Sequence, residues 1–279
     1  NISATVYENL RKESNSDKYE YILPNIIYGK TFFSEKFGLL DFRSDAFHSN
    51  YDTNKHKTFL TNDVIWTPFS SITKNGLVNT LTGMIRNTNY DSKNIGEYKS
   101  QNTVNELHGV LSHKTSLPMK KDGINFTKLF SPNFMLRYAP GHMRSLNSKD
   151  VTLNYSNIYA LNKTSEIEDG LSAVLGFDYK INEKKNGSEN EKFSLSIGQV
   201  FNQEENFDMP SKSSLDQKTS DVVGIINYNF SEIGNIDYKF SVDHNLNDFN
   251  YNDVSTELDF GKVQFNMDYL EQQNHIANE

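Results

Sequence analysis

The chain has 279 residues, of which 36% are hydrophobic and 23% charged, and this balance is typical of a folded protein rather than of a disordered segment. Its formal net charge of −8 argues against a nucleic-acid-binding surface, because phosphate backbones are bound by clustered cations. The sequence contains no cysteine, which excludes disulfides and thiolate metal sites within it, and its apolar runs are too short for a transmembrane helix of roughly 20 residues.

Alternating apolar and polar residues recur along the chain, and this period of two predicts β-strands with two different faces. In the clearest segment, residues 236–246, apolar side chains such as Tyr238 and Phe240 alternate with polar ones such as Asp237 and Lys239. In chain order, the predicted strands include residues 19–27, with a strand end or bulge at Pro24, and then 77–85, 107–111, 134–139, 151–155, 171–181, 193–197, 236–246, 254–260 and 263–269.

Polar segments between the predicted strands indicate turns. Residues 182–191 predict a polar loop, and Gly261 predicts the tight turn of a hairpin. The carboxylates of Glu166, Glu168 and Asp169 are the nearest approach to an acidic cluster. We expect a solvated turn there, because charged runs of this kind are usually exposed.

Strand number and length decide between the possible all-β architectures. We count about 14 alternating segments, each long enough for about 9–13 strand positions. A tilted strand that crosses a bilayer needs roughly 9–11 residues, whereas strands in soluble proteins average about 5–6. Since open sheet edges are not tolerated in hydrocarbon, such strands belong to a closed barrel. The pattern predicts one domain over residues 1–279, an antiparallel transmembrane β-barrel or part of one.

No pattern in the sequence points to an enzyme. Phosphate-binding loops, dinucleotide-binding glycine patterns, nucleophile elbows and zinc-protease motifs do not occur. His108 and His113 are five residues apart and would lie on opposite faces of a strand, which disfavours a metal site. We therefore predict no catalytic residue, no cofactor and no metal. The candidates for the polar lining of a water-filled barrel interior are Asp237, Lys239, Asp243, Glu257 and Asp259.

Four segments, taken in their order along the chain, resemble the motifs of one family. They cover residues 129–140, 158–165, 193–224 and 238–243, and they contain Pro132, Tyr138, Pro140, Asn162, Gly198, Gln199, Pro210, Ser220, Asp221 and Gly224. This order and spacing resemble the LptD family, outer-membrane proteins that insert lipopolysaccharide. The chain departs from the family pattern at Lys163, where arginine is usual, and at Thr164, where an aromatic residue is usual.

The resemblance implies a barrel of 26 strands in the outer membrane of a Gram-negative bacterium, closed incompletely between its first and last strands to form a lateral gate. It also implies a plug lipoprotein similar to LptE inside the barrel, and a periplasmic jellyroll that receives lipopolysaccharide from a bridge protein. Nothing in the sequence resembles the jellyroll. We therefore expect residues 1–279 to be a middle section of such a barrel, without the jellyroll and the gate strands.

Two other functions are compatible with the strand pattern alone. A general diffusion porin or nutrient channel would have the same architecture and would conduct ions without a plug protein. A soluble or surface-attached β-sandwich or adhesin would have short strands and would stay in solution without detergent. The motif formed by Gly198, Gln199 and Gly224 favours lipopolysaccharide transport over both.

Overall fold

The computed structural model describes residues 1–8, 19–51, 55–94, 104–147, 151–164, 166–185, 187–210, 213–230 and 233–273. These residues form 15 strands: β1 (Ile2–Glu8), β2 (Tyr19–Ser34), β3 (Gly38–Tyr51), β4 (His56–Thr67), β5 (Ser71–Ile72), β6 (Val78–Lys93), β7 (Val104–Ser116), β8 (Met119–Asp122), β9 (Phe126–Ala139), β10 (Gly170–Lys185), β11 (Ser188–Asn202), β12 (Thr219–Asn229), β13 (Gly234–Val242), β14 (Phe249–Asp259) and β15 (Gln264–Gln272). The described part of the chain contains no helix able to span a bilayer.

The strands form one antiparallel sheet. Its main path is β1-β2-β3-β4-β6-β7-β9-β10-β11-β12-β13-β14-β15, and the short strands β5 and β8 pair with β6 and β9. Apart from β1, β5 and β8, every strand has between 9 and 16 residues. The predicted all-β fold is therefore confirmed, with strands of the length that a tilted bilayer crossing requires.

The chain divides into two compact units, Asn1–Phe69 with Thr82–Val110 and Ser70–Leu81 with Leu111–Glu279. In the first unit, the rings of Phe47, Phe59 and Tyr90 stack across three strands, with centroids 5.3 Å apart at each step. On the same side of the sheet, Arg86 donates two hydrogen bonds to the Asp63 carboxylate, at 2.7 and 2.8 Å. Side chains therefore pack closely on this side of the first unit.

The second unit has one apolar and one polar face, which the strand register keeps aligned from β9 to β15. Successive rows of directly opposite residues alternate in character, because neighbouring residues of a strand point to opposite faces. One row is Phe130, Tyr179, Leu195, Ile226, Tyr238, Val254 and Tyr269, and the next is Leu129, Lys180, Ser194, Asn227, Asp237, Ser255 and Asp268. We call the surfaces that contain these two rows the apolar face and the polar face.

One predicted strand is wrong. Residues 151–155 form no strand but belong to the irregular connection between β9 and β10. There Leu153 is buried in the core of the unit and Tyr155 packs against it. An alternation of only three apolar positions does not distinguish a strand from an irregular segment with one buried and two partly buried apolar side chains.

Two strand ends also differ from prediction, whereas one hairpin is confirmed. The polar loop predicted over residues 182–191 is mostly strand, since β10 and β11 continue toward each other up to a turn at Gly187, whose φ is 82°. The strand predicted over residues 236–246 ends at Val242, before a turn. The hairpin of β14 and β15 turns at Gly261 as predicted, with a φ of 80° that favours glycine.

Candidate functional site

The connection between β9 and β10, residues 140–169, covers part of the polar face. Its described residues are 140–147, 151–164 and 166–169. Apolar side chains from this connection pack into one core with side chains of the strands and of the β11–β12 connection. The core contains Met135, Met143, Leu146, Leu153, Ile158, Val174, Val200, Met209, Leu215 and Val223. The polar face is therefore not an open surface here but the support of a folded connection.

Arg137 of β9 bonds the connection to the sheet. Its side chain is only 1% exposed, on the polar face, and Nε donates to the carbonyl oxygen of Leu161. Nη2 donates to the carbonyl oxygen of Glu168 at 2.6 Å. One guanidinium thus fixes two points of the connection that lie seven residues apart. In the sequence, the only signal for this role is a cation at an alternating position between Leu136 and Tyr138.

A buried ion pair lies within the connection itself. Lys163 Nζ is 3.2 Å from Glu168 Oε2, and the backbone N–H of Lys163 donates to Glu168 Oε1 at 2.5 Å. Burial lowers the pKa of Lys163, and the neighbouring Glu168 carboxylate opposes that shift. The solvated turn predicted for Glu168 is therefore wrong, because this carboxylate is 7% exposed and bonded within the connection.

The carboxylate of Asp178 in β10 accepts three hydrogen bonds on the polar face, where the connection packs. The hydroxyl of Tyr155 donates to it at 2.8 Å, that of Ser196 at 2.6 Å, and the amide of Asn133 at 2.7 Å. Burial raises the pKa of Tyr155, and its hydrogen bond to the Asp178 carboxylate acts in the same direction. The carboxylate of Asp178 therefore bonds the connection to strands β9 and β11.

Tyr159 packs over the polar face beside Asp178. Its ring lies 4.2 Å from the ammonium nitrogen of Lys114, within the range of a cation–π contact. Burial raises the pKa of Tyr159 to about 12. Together with Tyr155, whose ring centroid is 5.8 Å away, it presents an aromatic surface to the strands.

Two glycines let these aromatic rings approach the sheet. A Cβ at Gly176 would lie 2.4 Å from the Tyr159 hydroxyl oxygen and 2.4 Å from the carbonyl oxygen of Ile197. A Cβ at Gly198 would lie 3.0 Å from Cδ1 of Ile158 and 3.5 Å from the ring of Tyr155. The connection therefore packs this close to the polar face only because neither position carries a side chain.

We expect Gly176→Ala to destabilise the folded protein by roughly 1–3 kcal/mol, because the added methyl group overlaps a backbone oxygen that cannot move independently. The measurement is the free energy of unfolding in denaturant. Gly109→Ala is the matched control, since a Cβ there meets no atom closer than 4.0 Å. Equal stability of the two variants would show that the connection does not rest on Gly176.

The predicted lining residues are placed as follows. Asp237, Lys239 and Glu257 lie on the polar face, opposite Ser255, Asp253 and Asn235 of the neighbouring strands. Lys239 Nζ is 3.0 Å from Asp253 Oδ2, and Asp237 accepts a hydrogen bond from Asn235 at 2.8 Å. Asp259 ends β14 on the same face.

Asp243 is the exception among the predicted lining residues. It follows the end of β13 and lies in a turn, where its carboxylate accepts hydrogen bonds from the backbone and side chain of Asn245. These bonds to its ionised form hold the pKa of Asp243 below its usual value, against the opposing effect of desolvation. The prediction that Asp243 extends the polar face of a strand is wrong, because the strand is shorter than the alternation suggested.

Most of the motif residues predicted to matter come together at β11 and β12. Gln199 Nε2 donates to the carbonyl oxygen of Ser220 at 2.8 Å, and the Ser220 hydroxyl accepts from the backbone N–H of Val200 at 2.9 Å. Asp221 Oδ2 accepts from Ser241 and Asn250, each at 2.8 Å. Pro210 is buried, and its carbonyl oxygen accepts from the hydroxyl of Ser213. The motif therefore attaches the β11–β12 connection to the strands, and its Asp221 side chain also bonds β12 to β13 and β14.

The other motif residues are dispersed. Pro132 and Tyr138 lie on the apolar face of β9, and Tyr138 is 53% exposed. Pro140 is exposed at the start of the β9–β10 connection. Asn162 donates to the carbonyl oxygen of Thr164 within that connection, and Ser165 of the same motif lies outside the described residues.

Gly224 lies on the apolar face of β12. A Cβ there would be 2.4 Å from the ring of Phe240, which packs over it. Gly198, by contrast, faces the connection from the polar face. The two motif glycines therefore serve opposite faces of the same strand pair, each admitting a large side chain close to the backbone.

Comparison with known proteins identifies the family of the chain. A family model described as LptD, LPS transport system D, matches residues 1–279. No curated protein matches the chain. Among the described residues there is no group of three His, Cys, Asp or Glu side chains that could hold a metal ion.

Proposed function

This chain belongs to the LptD family of outer-membrane β-barrel proteins that transport lipopolysaccharide, and we propose that it moves lipopolysaccharide through a polar barrel interior and releases it sideways into the outer leaflet. The match over residues 1–279 carries this proposal. No bond is made or broken in such a transfer. The chain provides an apolar environment for the lipid tails and a hydrated one for the charged head.

The two faces of the sheet support such a separation. Burying a sugar and phosphate head in hydrocarbon costs several kcal/mol for each polar group left without a partner. A water-filled interior lined by the polar face avoids that cost, while the apolar face meets the acyl chains of the bilayer. On this proposal, Asp237, Lys239, Glu257 and Asp259 solvate the interior or contact a plug protein.

We further propose that residues 1–279 are part of a larger barrel of 26 strands whose gate strands and jellyroll lie elsewhere in the protein. Its partners would be a plug lipoprotein similar to LptE and the periplasmic bridge protein that delivers lipopolysaccharide to the jellyroll. On this proposal, the β9–β10 connection narrows the barrel interior, because it is bonded to the polar face by Arg137, Tyr155 and Asp178.

Depletion of the full-length protein in its own cells tests the proposal. We expect newly made lipopolysaccharide to stop reaching the cell surface and to accumulate inside. Unchanged delivery with reduced uptake of small solutes would instead support a diffusion porin. The porin alternative also predicts ion conductance by the purified barrel in the absence of a plug protein.

The lengths of the connections predict the orientation of the barrel. Two long connections, residues 140–169 and 203–218, lie at one end of strands β9 to β12. The short turn at residues 123–125 lies at the other end of β9. Outer-membrane barrels place long loops outside the cell and short turns in the periplasm. We expect a membrane-impermeant maleimide to label Glu204→Cys on intact cells, and Ile124→Cys only after the outer membrane is opened. Both side chains are exposed, so the reverse pattern would invert the proposed orientation.

A further inference from the structure

A cavity of about 550 Å³ opens on the apolar face of the second unit. Its walls are mainly Leu77, Leu117, Phe134, Leu175, Phe177 and Ile197. No charged side chain lines it, and the amide of Gln199 in its wall donates to the carbonyl oxygen of Ser220. Its size is that of a small-molecule site, and its lining suits a hydrocarbon chain.

The cavity lies where the pairing with β9 is interrupted. The ladder of β7 with β9 ends at Ser116 opposite Asn133, and the ladder of β8 with β9 begins at Met119 opposite Phe130. Pro132 occupies the gap and brings no N–H to the ladder, although its carbonyl oxygen still accepts from the backbone N–H of Leu117 at 3.1 Å. Strands β9, β10 and β11 thus supply most of the cavity wall, and Leu77 and Leu117 come from the connections next to β6 and between β7 and β8.

Two lysines mark a second part of the site on the same face. Lys121 of β8 and Lys128 of β9 are directly opposite each other, and both are exposed. Like charges directly opposite each other destabilise a strand pair, and an anion bound between the two lysines would offset this repulsion. The ion pairs at this end of the strands are made on the polar face, where Lys120 and Lys184 contact Asp122. Among the described residues, neither Lys121 nor Lys128 forms an ion pair with a carboxylate.

The distance between the two parts fits one lipid molecule. Lys128 and Pro132 are four residues apart on β9, which corresponds to about 13 Å along a strand and to about 9 Å of depth at a tilt of about 45°. Half of a bilayer's hydrocarbon core is roughly 15 Å thick. A phosphate at the lysine pair would therefore place an acyl chain alongside the cavity. Glu183, a carboxylate on the same face, lies opposite Phe126, one row farther from the cavity.

We propose that this face holds one phospholipid of the periplasmic leaflet, with its phosphate between Lys121 and Lys128 and one acyl chain in the cavity. The lysine pair lies near the short turn at residues 123–125, the end assigned above to the periplasm. The site is separate from the transport path, because the apolar face is opposite the face that carries the β9–β10 connection. It would anchor the barrel wall at the point where the strand ladder is interrupted.

The test uses the full-length protein, reconstituted in vesicles of phosphatidylethanolamine and phosphatidylglycerol and then extracted into mild detergent. Native mass spectrometry counts the phospholipid that stays bound. We expect one retained phospholipid, with retention reduced about tenfold, equivalent to about 1.4 kcal/mol, by Ile197→Trp, which fills the cavity. The double variant Lys121→Gln with Lys128→Gln should reduce retention similarly, because it removes both positive charges that attract the phosphate.

Matched controls keep the proposal open to refutation. Leu136→Trp enlarges a side chain on the same face but outside the cavity, and Lys30→Gln removes an exposed lysine of β2; both should retain lipid as the parent protein does. Equal retention in all variants, or none in the parent protein, would overturn the proposal. Recovery of lipopolysaccharide instead of phospholipid from native membranes would overturn the assignment of the ligand. If Ile197→Trp fails to fold, phospholipid retention by the double lysine variant still tests the proposal, because both lysines are exposed.

Discussion

Replacing Arg137 by methionine should lower the free energy of unfolding by about 2–6 kcal/mol. The substitution leaves the carbonyl oxygens of Leu161 and Glu168 without their donor, and an unsatisfied buried acceptor costs about 1–3 kcal/mol. Methionine keeps the volume of the side chain, so the loss reports the hydrogen bonds rather than a cavity. Denaturant unfolding measures the effect, and limited proteolysis within residues 140–169 shows whether the connection has detached.

The control for this prediction is Arg43→Met on β3. The Arg43 side chain is 61% exposed and its partner Asp45 lies on the same strand, so we expect a change below about 1 kcal/mol. Arg137→Lys tests the fork geometry, because lysine retains the charge but cannot bond two carbonyl oxygens in one plane. If Arg137→Met is as stable and as protease-resistant as Arg43→Met, the connection is held by its apolar core alone.

Replacing Val254 by arginine should cost about 2–4 kcal/mol if the apolar face meets the bilayer. Val254 lies in the middle of β14, between Tyr238 and Tyr269 of the neighbouring strands. An arginine on the lipid face near the bilayer centre carries a penalty of that size. The readouts are the free energy of unfolding in lipid vesicles and the amount of assembled protein in the outer membrane.

Ser255→Arg is the matched control, one residue further along the same strand. It points to the polar face, where its direct neighbours are Asp237 and Asp268. Opposite charges in this arrangement contribute roughly 0.2–1 kcal/mol of stabilisation, so we expect normal assembly. Equal damage from both substitutions would contradict the assignment of one face to lipid and the other to water.

The all-β fold, the two faces and the hairpin at Gly261 could be predicted from the sequence because they depend on local patterns. The period of two is a property of each strand alone, and a glycine with positive φ is readable from its neighbours. Strand ends were less predictable. Alternation continued past Val242 although the chain turns there, because the turn at residues 243–248 also contains alternating polar and apolar residues.

The candidate site was only partly predictable. Asp237, Lys239, Glu257 and Asp259 lie on the polar face as expected, whereas Glu168 proved to be buried. Burial of Glu168 depends on Lys163 and on the packing of the connection above β9, and nothing in an acidic sequence motif distinguishes this from a solvated turn. Family motifs located the Ser220 and Asp221 cluster without indicating what these residues bond.

The sequence by itself determined that this chain forms long strands with one apolar and one polar face, since side-chain direction along a strand follows residue order. Only the tertiary structure decided what lies on the polar face and where the apolar face is concave. Arg137 and Glu168 are 31 residues apart, and the cavity walls come from six separate segments of the chain. Contacts between residues so distant depend on the pairing of strands and the packing of connections, and no local pattern records them.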